Sequence, residues 1–526
     1  MSAFRLDIDG VVPWRKVVAG IGAAALLLLG VRLALVVFEF GTQVFFYDGS
    51  WLGKQLIGYG FRRQVYWVGA LCLAAGCSYR FDNPVAHLDR PSKWLYWALL
   101  AAQTYAVALM DYNHYFDQWF AVDRLLLVAL ALLVARYPLW LPLYLIELVL
   151  LSGQLAFPEY IGYDHTHKSV TLPLLSAFWV LCLLRPVLRE RIRYLYVVAV
   201  LGLAGAWYVQ AGLSKWALNW LTDNNLYHLI AGAHAFGYDG GWGGAWLPVV
   251  AHFVDRYHYP LQAFTLVVEL LFPFICLPGR RFTPFVLLTY IGFHLGIYFL
   301  SGIFFWQWIL LESVVVYFAW RHRRAWRGLA GATLTAAYFA LLLGWPLAVH
   351  VAGLAWLDCG FVNGYFFALQ APDGRTRSLD SSFFSPYDVG FAKNRFTFAG
   401  KAPALTNTMG QCFDGELAKL IQGWEDNPDA RKALESRREK TGMQRYDSLQ
   451  TAQFYVFLQQ FTQNKLAYDP VWISKIDPPL HMRQGPNQQN YSAEADSLRV
   501  IYRELILRSE LQAVPYQTQS VALPLE

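Results

Sequence analysis

The chain has 526 residues, of which 56% are hydrophobic and only 15% charged. So few charges cannot cover the water-facing surface of several soluble domains, so a bilayer is expected to supply part of the solvent. The net charge of +6 is modest, and its basic residues fall in short clusters between apolar runs, which excludes a nucleic-acid footprint and reads as a topology signal.

In chain order, apolar runs of spanning length are expected near 17–40, 65–79, 94–110, 122–135, 138–155, 170–184, 194–210, 262–278, 283–300, 306–320 and 328–352. The run from Val17 to Phe40 is too long for a signal-peptide core and no small-residue cleavage site follows it, so it is taken as the first span. The second and fourth runs are short, and only Arg136, Tyr137 and Pro138 separate the fourth from the fifth, which leaves a range of nine to eleven. Lys and Arg test the count. With Arg5, Arg15 and Lys16 inside, the inner loops hold Arg80, Arg90, Lys93, Arg136, Arg185, Arg189, Arg191, Arg193, Arg280, Arg281, Arg321, Arg323, Arg324 and Arg327. The outer loops hold few, and only Arg62-Arg63 argues against the assignment. Arg32 and Glu39 of the first span are expected to face protein or water and to pair.

An odd number of spans puts the tail outside. The fold expected is therefore an α-helical polytopic membrane protein, of about nine to eleven transmembrane helices over residues 1–353, followed by an extracytoplasmic mixed α/β domain over 354–526. Turn signals such as Pro372-Asp373-Gly374 and amphipathic stretches at Glu416–Trp424 and Ser448–Phe461 support a folded tail. Cys359 and Cys412 lie in it, where an oxidising compartment would permit a bridge, whereas Cys72, Cys77, Cys182 and Cys276 sit in apolar runs as packing residues.

Chemistry is sought first where ionisable groups meet the membrane edge. The segment Tyr208 to Trp220 ends the seventh span, and it carries the small residues Ala211 and Gly212 one turn before Lys215. Burial strips an amine of basicity where no carboxylate faces it, and that condition is what a proton acceptor near neutral pH needs. Lys215 is expected to meet it; the alternative is a lysine snorkelling at a helix end. Asp164-His165-Thr166-His167 has the spacing of a metal pair but no further ligands, so a solvated loop is preferred, as it is for His228, His234, His252 and His258. The glycine-rich run Gly237 to Gly244 lacks the Gly-Lys-Ser/Thr of a phosphate loop.

Tyr208, Ala211, Gly212, Lys215 and Trp220 together form Tyr-x-x-Ala-Gly-x-x-Lys-x-x-x-x-Trp, which resembles the motif around the proposed catalytic base of the vitamin K-dependent γ-carboxylase-like (HTTM domain) family. Asn113-His114-Tyr115-Phe116 and Phe293-His294, with Gly302 and Phe304, resemble two further family segments in the same order. Tyr47-Asp48-Gly49, Glu269 through Arg280-Arg281, and Asp373-Gly374-Arg375-Thr376 add weaker agreement, while the rest of the tail departs from the family.

The resemblance implies an enzyme that carboxylates glutamate in an exported peptide or protein, using a reduced quinone of the vitamin K hydroquinone or menaquinol type with O2 and CO2 as co-substrates. It implies Lys215 as initiating base, His114 as an oxyanion-stabilising donor, and Tyr208, Gly212, Trp220 and His294 around substrate or cofactor. From the residues alone, His114 also reads as an interfacial histidine on a backbone carbonyl and His294 as a helix-to-helix hydrogen-bond partner. No metal and no nucleic acid are expected; the partners implied are the bilayer and the exported client. The alternative is a family member without carboxylase activity that matures or exports a secreted peptide; a transporter is a third class, for which few paired acidic or broken-helix signatures occur across two halves.

Overall fold

The computed structural model describes residues 14–39, 90–109, 120–153, 170–184, 192–238, 243–349, 357–385, 387, 390–391, 396–400, 410–412, 415–422, 428–441, 446–467, 478–479, 495–507 and 511–525. Its N-terminal part is helical: α1 (Trp14–Glu39), α2 (Arg90–Ala108), α3 (Phe120–Arg136), α4 (Leu141–Gly153), α5 (Leu172–Leu183), α6 (Ile192–Ala217), α7 (Asn225–Ala235), α8 (Gly243–Leu270), α9 (Phe272–Ile275), α10 (Thr283–Ser301), α11 (Trp306–Arg321), α12 (Arg323–Gly328) and α13 (Ala332–Ala348). Of the expected spans, the second lies outside the described residues, and the others fall on helices, the eighth on parts of two. Among the described residues, three helices are long and apolar enough to cross a membrane, over Trp14–Leu35, Tyr194–Ala217 and Thr283–Ser301; Pro138–Leu148, Leu172–Leu183 and Ala332–Ala348 are apolar but shorter.

The expected eighth span, 262–278, is not one helix. The chain is already helical from Gly243, kinks at Tyr257 (φ −117°, ψ 22°) ahead of Pro260, and breaks at Leu271 before the short α9. Proline explains both interruptions, because Pro260 and Pro273 cannot donate to the preceding turn.

Small residues let the helices close on one another. A Cβ on Gly20 would lie 2.1 Å from the Thr333 carbonyl oxygen, and one on Gly344 would lie 2.6 Å from Leu28, so α1 and α13 run parallel at near backbone contact. Tyr96 and Trp97 at the start of α2 donate to the Val134 and Ala135 carbonyls at the end of α3, both at 2.9 Å. Trp326 of α12 donates to the Arg280 carbonyl before α10, also at 2.9 Å. Gly302, at φ 73°, caps α10 in the left-handed conformation and lets α11 double back.

Past the helices the chain forms β1 (Leu357–Asp358), β2 (Phe361–Gln370), β3 (Thr376–Leu379), β4 (Gln411–Cys412), α14 (Gly415–Gln422), α15 (Pro428–Thr441), α16 (Ser448–Ala467), β5 (Ser497–Leu507) and β6 (Ala513–Pro524). The expected boundary at 353/354 falls outside the described residues. One antiparallel sheet has the order β3-β2-β5-β6, and β1 pairs with β4 apart from it. The Pro372-Asp373-Gly374 signal is the β2–β3 turn, with Gly374 at φ 81°. One sheet face and α16 enclose an aromatic core, in which Phe396 stacks on Phe391 and on Phe454 at 4.7 Å. Cys359, just past β1, and Cys412 of β4 are buried thiols that form no disulfide.

Candidate functional site

The spacing of the Tyr208–Trp220 segment follows from helix geometry. Residues 208, 212 and 215 recur at helical intervals and share one face of α6. The helix stops two residues after Lys215, where Asn219 takes a positive φ of 54°. Trp220 N–H donates to the Lys215 carbonyl at 3.1 Å and Asn219 N–H to the Trp216 carbonyl at 3.1 Å, which is a Schellman ending. That ending folds Trp220 back over the lysine, with Nζ 5.4 Å from the ring centre. The Lys-x-x-x-x-Trp interval thus places a cation on an aromatic face.

The Trp220 carbonyl is held in turn by two buried amides, Asn225 Nδ2 and Gln262 Nε2, both at 2.7 Å. Asn225 Oδ1 accepts the Asp358 backbone N–H at 2.9 Å, which joins the loop after α6 to β1.

α8 runs antiparallel to α6, since Gln262 meets Trp220 and Glu269 meets Lys215. Gly212 makes this approach possible: a Cβ there would lie 2.8 Å from Leu270 and 3.0 Å from Glu269 Cβ. The outcome corrects the expectation of an amine without a carboxylate partner. Lys215 Nζ donates to Glu269 Oε1 in an ion pair whose side chains are 14% and 4% exposed. Glu269 Oε2 is buried and has no hydrogen-bond partner among the described residues. The amine therefore belongs to a pair, and any proton chemistry belongs to the two groups together.

Deeper on the same face of α6, Tyr208 OH donates to Glu312 Oε1 of α11 at 2.6 Å and lies 3.3 Å from His294 Nε2 of α10. His294 Nδ1 sits 3.4 Å from Glu312 Oε2. These three side chains tie three helices, so His294 is a helix-to-helix partner as one of its two sequence readings expected. Tyr208 stacks on Tyr290 at 3.9 Å, and Trp308 and Phe305 wall His294 at 6.1 and 5.2 Å. The Tyr290 hydroxyl is a second buried polar atom with no partner among the described residues.

The structure thus brings together Tyr208, Gly212, Lys215, Trp220 and His294. His114 lies outside the described residues, as do Tyr47-Asp48-Gly49, Arg62-Arg63 and Asp164 to His167. The sequence reading gave Glu269 no role and missed Glu312, Tyr290 and Trp308. Glu312 carried a usable signal, since it interrupts the apolar run Trp306–Arg321.

The remaining histidines need correction too: His228 and His234 lie in α7 and His252 and His258 in α8, not in a solvated loop. The Asn224 side chain, accepting from Tyr227 N–H at 3.2 Å, starts α7 as a helix. Among the described residues no cluster of three or more His, Cys, Asp or Glu has the arrangement of a metal site. Comparison with family models, curated proteins and solved structures finds no match to this chain.

Proposed function

We propose that this chain is a membrane-embedded enzyme of the vitamin K-dependent γ-carboxylase-like kind, which carboxylates glutamate in an exported peptide with the help of a reduced quinone, O2 and CO2. The observation that carries this reading is the buried Lys215–Glu269 pair at a helix end, with one carboxylate oxygen left over, walled by aromatic rings.

Membrane embedding is supported by large apolar side chains that point out of the helical part, such as Leu132 at 71% and Leu347 at 88% exposed. A cytoplasmic end is supported by which helix ends meet. The parallel starts of α1 and α13 lie by Arg15-Lys16 in the first turn of α1 and by Arg327 ahead of α13, the start of α2 with Arg90 and Lys93 meets the end of α3 with Arg136, and Arg280 meets α12. Lys215 and the tail belong to the opposite end of this arrangement, which is the end proposed to face the exported client.

The donor set suits a reduced quinone, a flat aromatic ring with hydroxyl groups: among the described residues Glu269 Oε2 is an unused acceptor and the Tyr290 hydroxyl is unused, and the Trp220 and Trp308 rings lie nearby. When bound, this group supplies, with O2, the strong base that a glutamate γ-proton requires. The work of the chain is then proton handling. The Lys215–Glu269 pair takes up one proton, becomes a net cation and so stabilises an anion formed beside it. Tyr208, Glu312 and His294 fix the floor under the pair, and the aromatic walls exclude water, which strengthens every charge interaction there.

The test is label incorporation from bicarbonate into a glutamate-containing peptide by the detergent-purified protein supplied with vitamin K hydroquinone. Wild type incorporates label; Lys215→Ala and Glu269→Gln, checked for wild-type elution and helical content, lose at least about a hundredfold in rate. Incorporation untouched by Lys215→Ala refutes the mechanism. Peptide binding without incorporation leaves the alternative, a maturation or export factor without carboxylase activity.

A further inference from the structure

Among the described residues the strand β6 is the outer edge of its sheet, and its sequence Ala-Val-Pro-Tyr-Gln-Thr-Gln-Ser-Val-Ala-Leu-Pro contains no charged residue. Natural edge strands are normally guarded by lysines, prolines or a covering segment, because their free N–H and C=O groups recruit other chains. Here prolines stand only at 515 and 524. Between them Thr518, Ser520 and Ala522 are exposed.

The neighbouring strand carries charge. Arg499 and Arg503 of β5 are half-buried, and the cross-strand partners of these arginines on β6 are Ala522 and Thr518. Four residues apart on one strand, they point to the same face and are separated by about 13 Å. Among the described residues neither has a carboxylate in an ion pair, and the guanidinium carbon of Arg503 lies 5.0 Å from the centre of the Phe366 ring. The same face packs at its lower end on the helical part through Val362, Leu505 and Phe366 against α7.

We propose that β6 takes an extended acidic peptide as a fifth strand, with alternate carboxylates of that peptide paired to Arg499 and Arg503. The idea rests on the exported-peptide client of the preceding section and says how that client is held. A strand added at β6 lies about 9.5 Å from β5, two strand spacings. Because Thr518, Ser520 and Ala522 are short, an arginine and a glutamate together bridge that distance over them. Strand addition supplies affinity through backbone hydrogen bonds and leaves selection to alternate side chains. Self-pairing of two copies at β6 is disfavoured by the same arginines, which would face their own kind. A lipid headgroup would use the guanidiniums but leave the backbone edge unused. The lower end of β6 reaches Tyr516, which packs in the cluster around Trp220 and Phe361, so a chain aligned on the strand is led toward the loop that covers Lys215.

The experiment is fluorescence anisotropy on the purified full chain with a capped peptide of alternating glutamate and valine. Its comparisons are the lysine-for-glutamate version and two N-methylated versions, one for each edge of the peptide. The acidic peptide is expected to bind at least about a hundredfold more tightly than the lysine version. One N-methylated version loses binding and the other keeps it, because only one edge meets β6. Arg499→Gln and Arg503→Gln each weaken binding about tenfold, and because anisotropy is read without quinone or bicarbonate, a failed carboxylation assay and a failed docking surface are told apart. Equal binding of the lysine peptide, equal behaviour of the two N-methylated versions, or unchanged affinity in the arginine variants overturns the proposal. Displacement of the peptide by phosphatidylglycerol in nanodiscs, dependent on the arginines, reassigns the patch to lipid headgroups and overturns it as well.

Discussion

At the scale of single residues, the pairing of Lys215 with Glu269 decides what the site can do. Two charges this poorly exposed pay a large desolvation penalty that only their mutual attraction offsets. Removing one partner strands the other. Lys215→Met is therefore expected to destabilise the protein by about 3–5 kcal/mol, and Glu269→Met by a similar amount, whereas the double Met variant recovers most of the loss. Thermal unfolding in detergent checks this; additive losses would mean that the pair is not an energetic unit. The double variant also separates the roles, since a folded but inactive protein assigns the pair to chemistry.

Among elements, the packing of α6 on α8 is set by the absence of one side chain. Gly212→Ala places a methyl group 2.8 Å from Leu270 and 3.0 Å from Glu269 Cβ, so α8 must retreat. A cost of about 1–3 kcal/mol follows, with a larger one for Gly212→Val. The retreat pulls Glu269 from Lys215, so the alanine variant is expected to lose label incorporation out of proportion to its loss of thermal stability. An alanine variant with wild-type stability and activity would show that glycine at 212 serves no close approach.

Over the whole molecule, the helical part and the sheet are joined at α7. Asn225 ties Asp358 to the Trp220 loop, and the ring of His228 sits close under Gly360, 4.0 Å from where a side chain on that residue would begin. Burial lowers the His228 pKa from its usual 6.5, although Asp223 and Asp255 pull the other way. The unfolded state then binds more protons than the native state just below pH 6.5, so the stability contributed by neutral His228 is complete above 6.5 and declines as pH falls. Limited proteolysis of the joint is expected to quicken between pH 7.5 and 5.5, and His228→Gln flattens that dependence. A wild-type profile with no change in this window counts against the joint as the pH-sensitive element.

Periodicity and composition were enough to expect the helices and a folded tail, because burial of apolar residues in a helix leaves its mark in consecutive positions. The motif resemblance singled out Tyr208, Gly212, Lys215 and Trp220, and local geometry holds them together, three on one helix face and Trp220 returned by a turn. Those relations are short-range and belong to the sequence. Partners across helices do not: nothing along the chain says that Glu269, 54 positions from Lys215, bonds to it, or that Glu312 receives Tyr208 from 104 positions away. Only the crossing of α6 with α8, α10 and α11 decides that, since which faces meet depends on how all the helices pack at once. The edge position of β6 among the described strands is of the same kind, because a strand becomes an edge only through where the rest of the sheet is laid down.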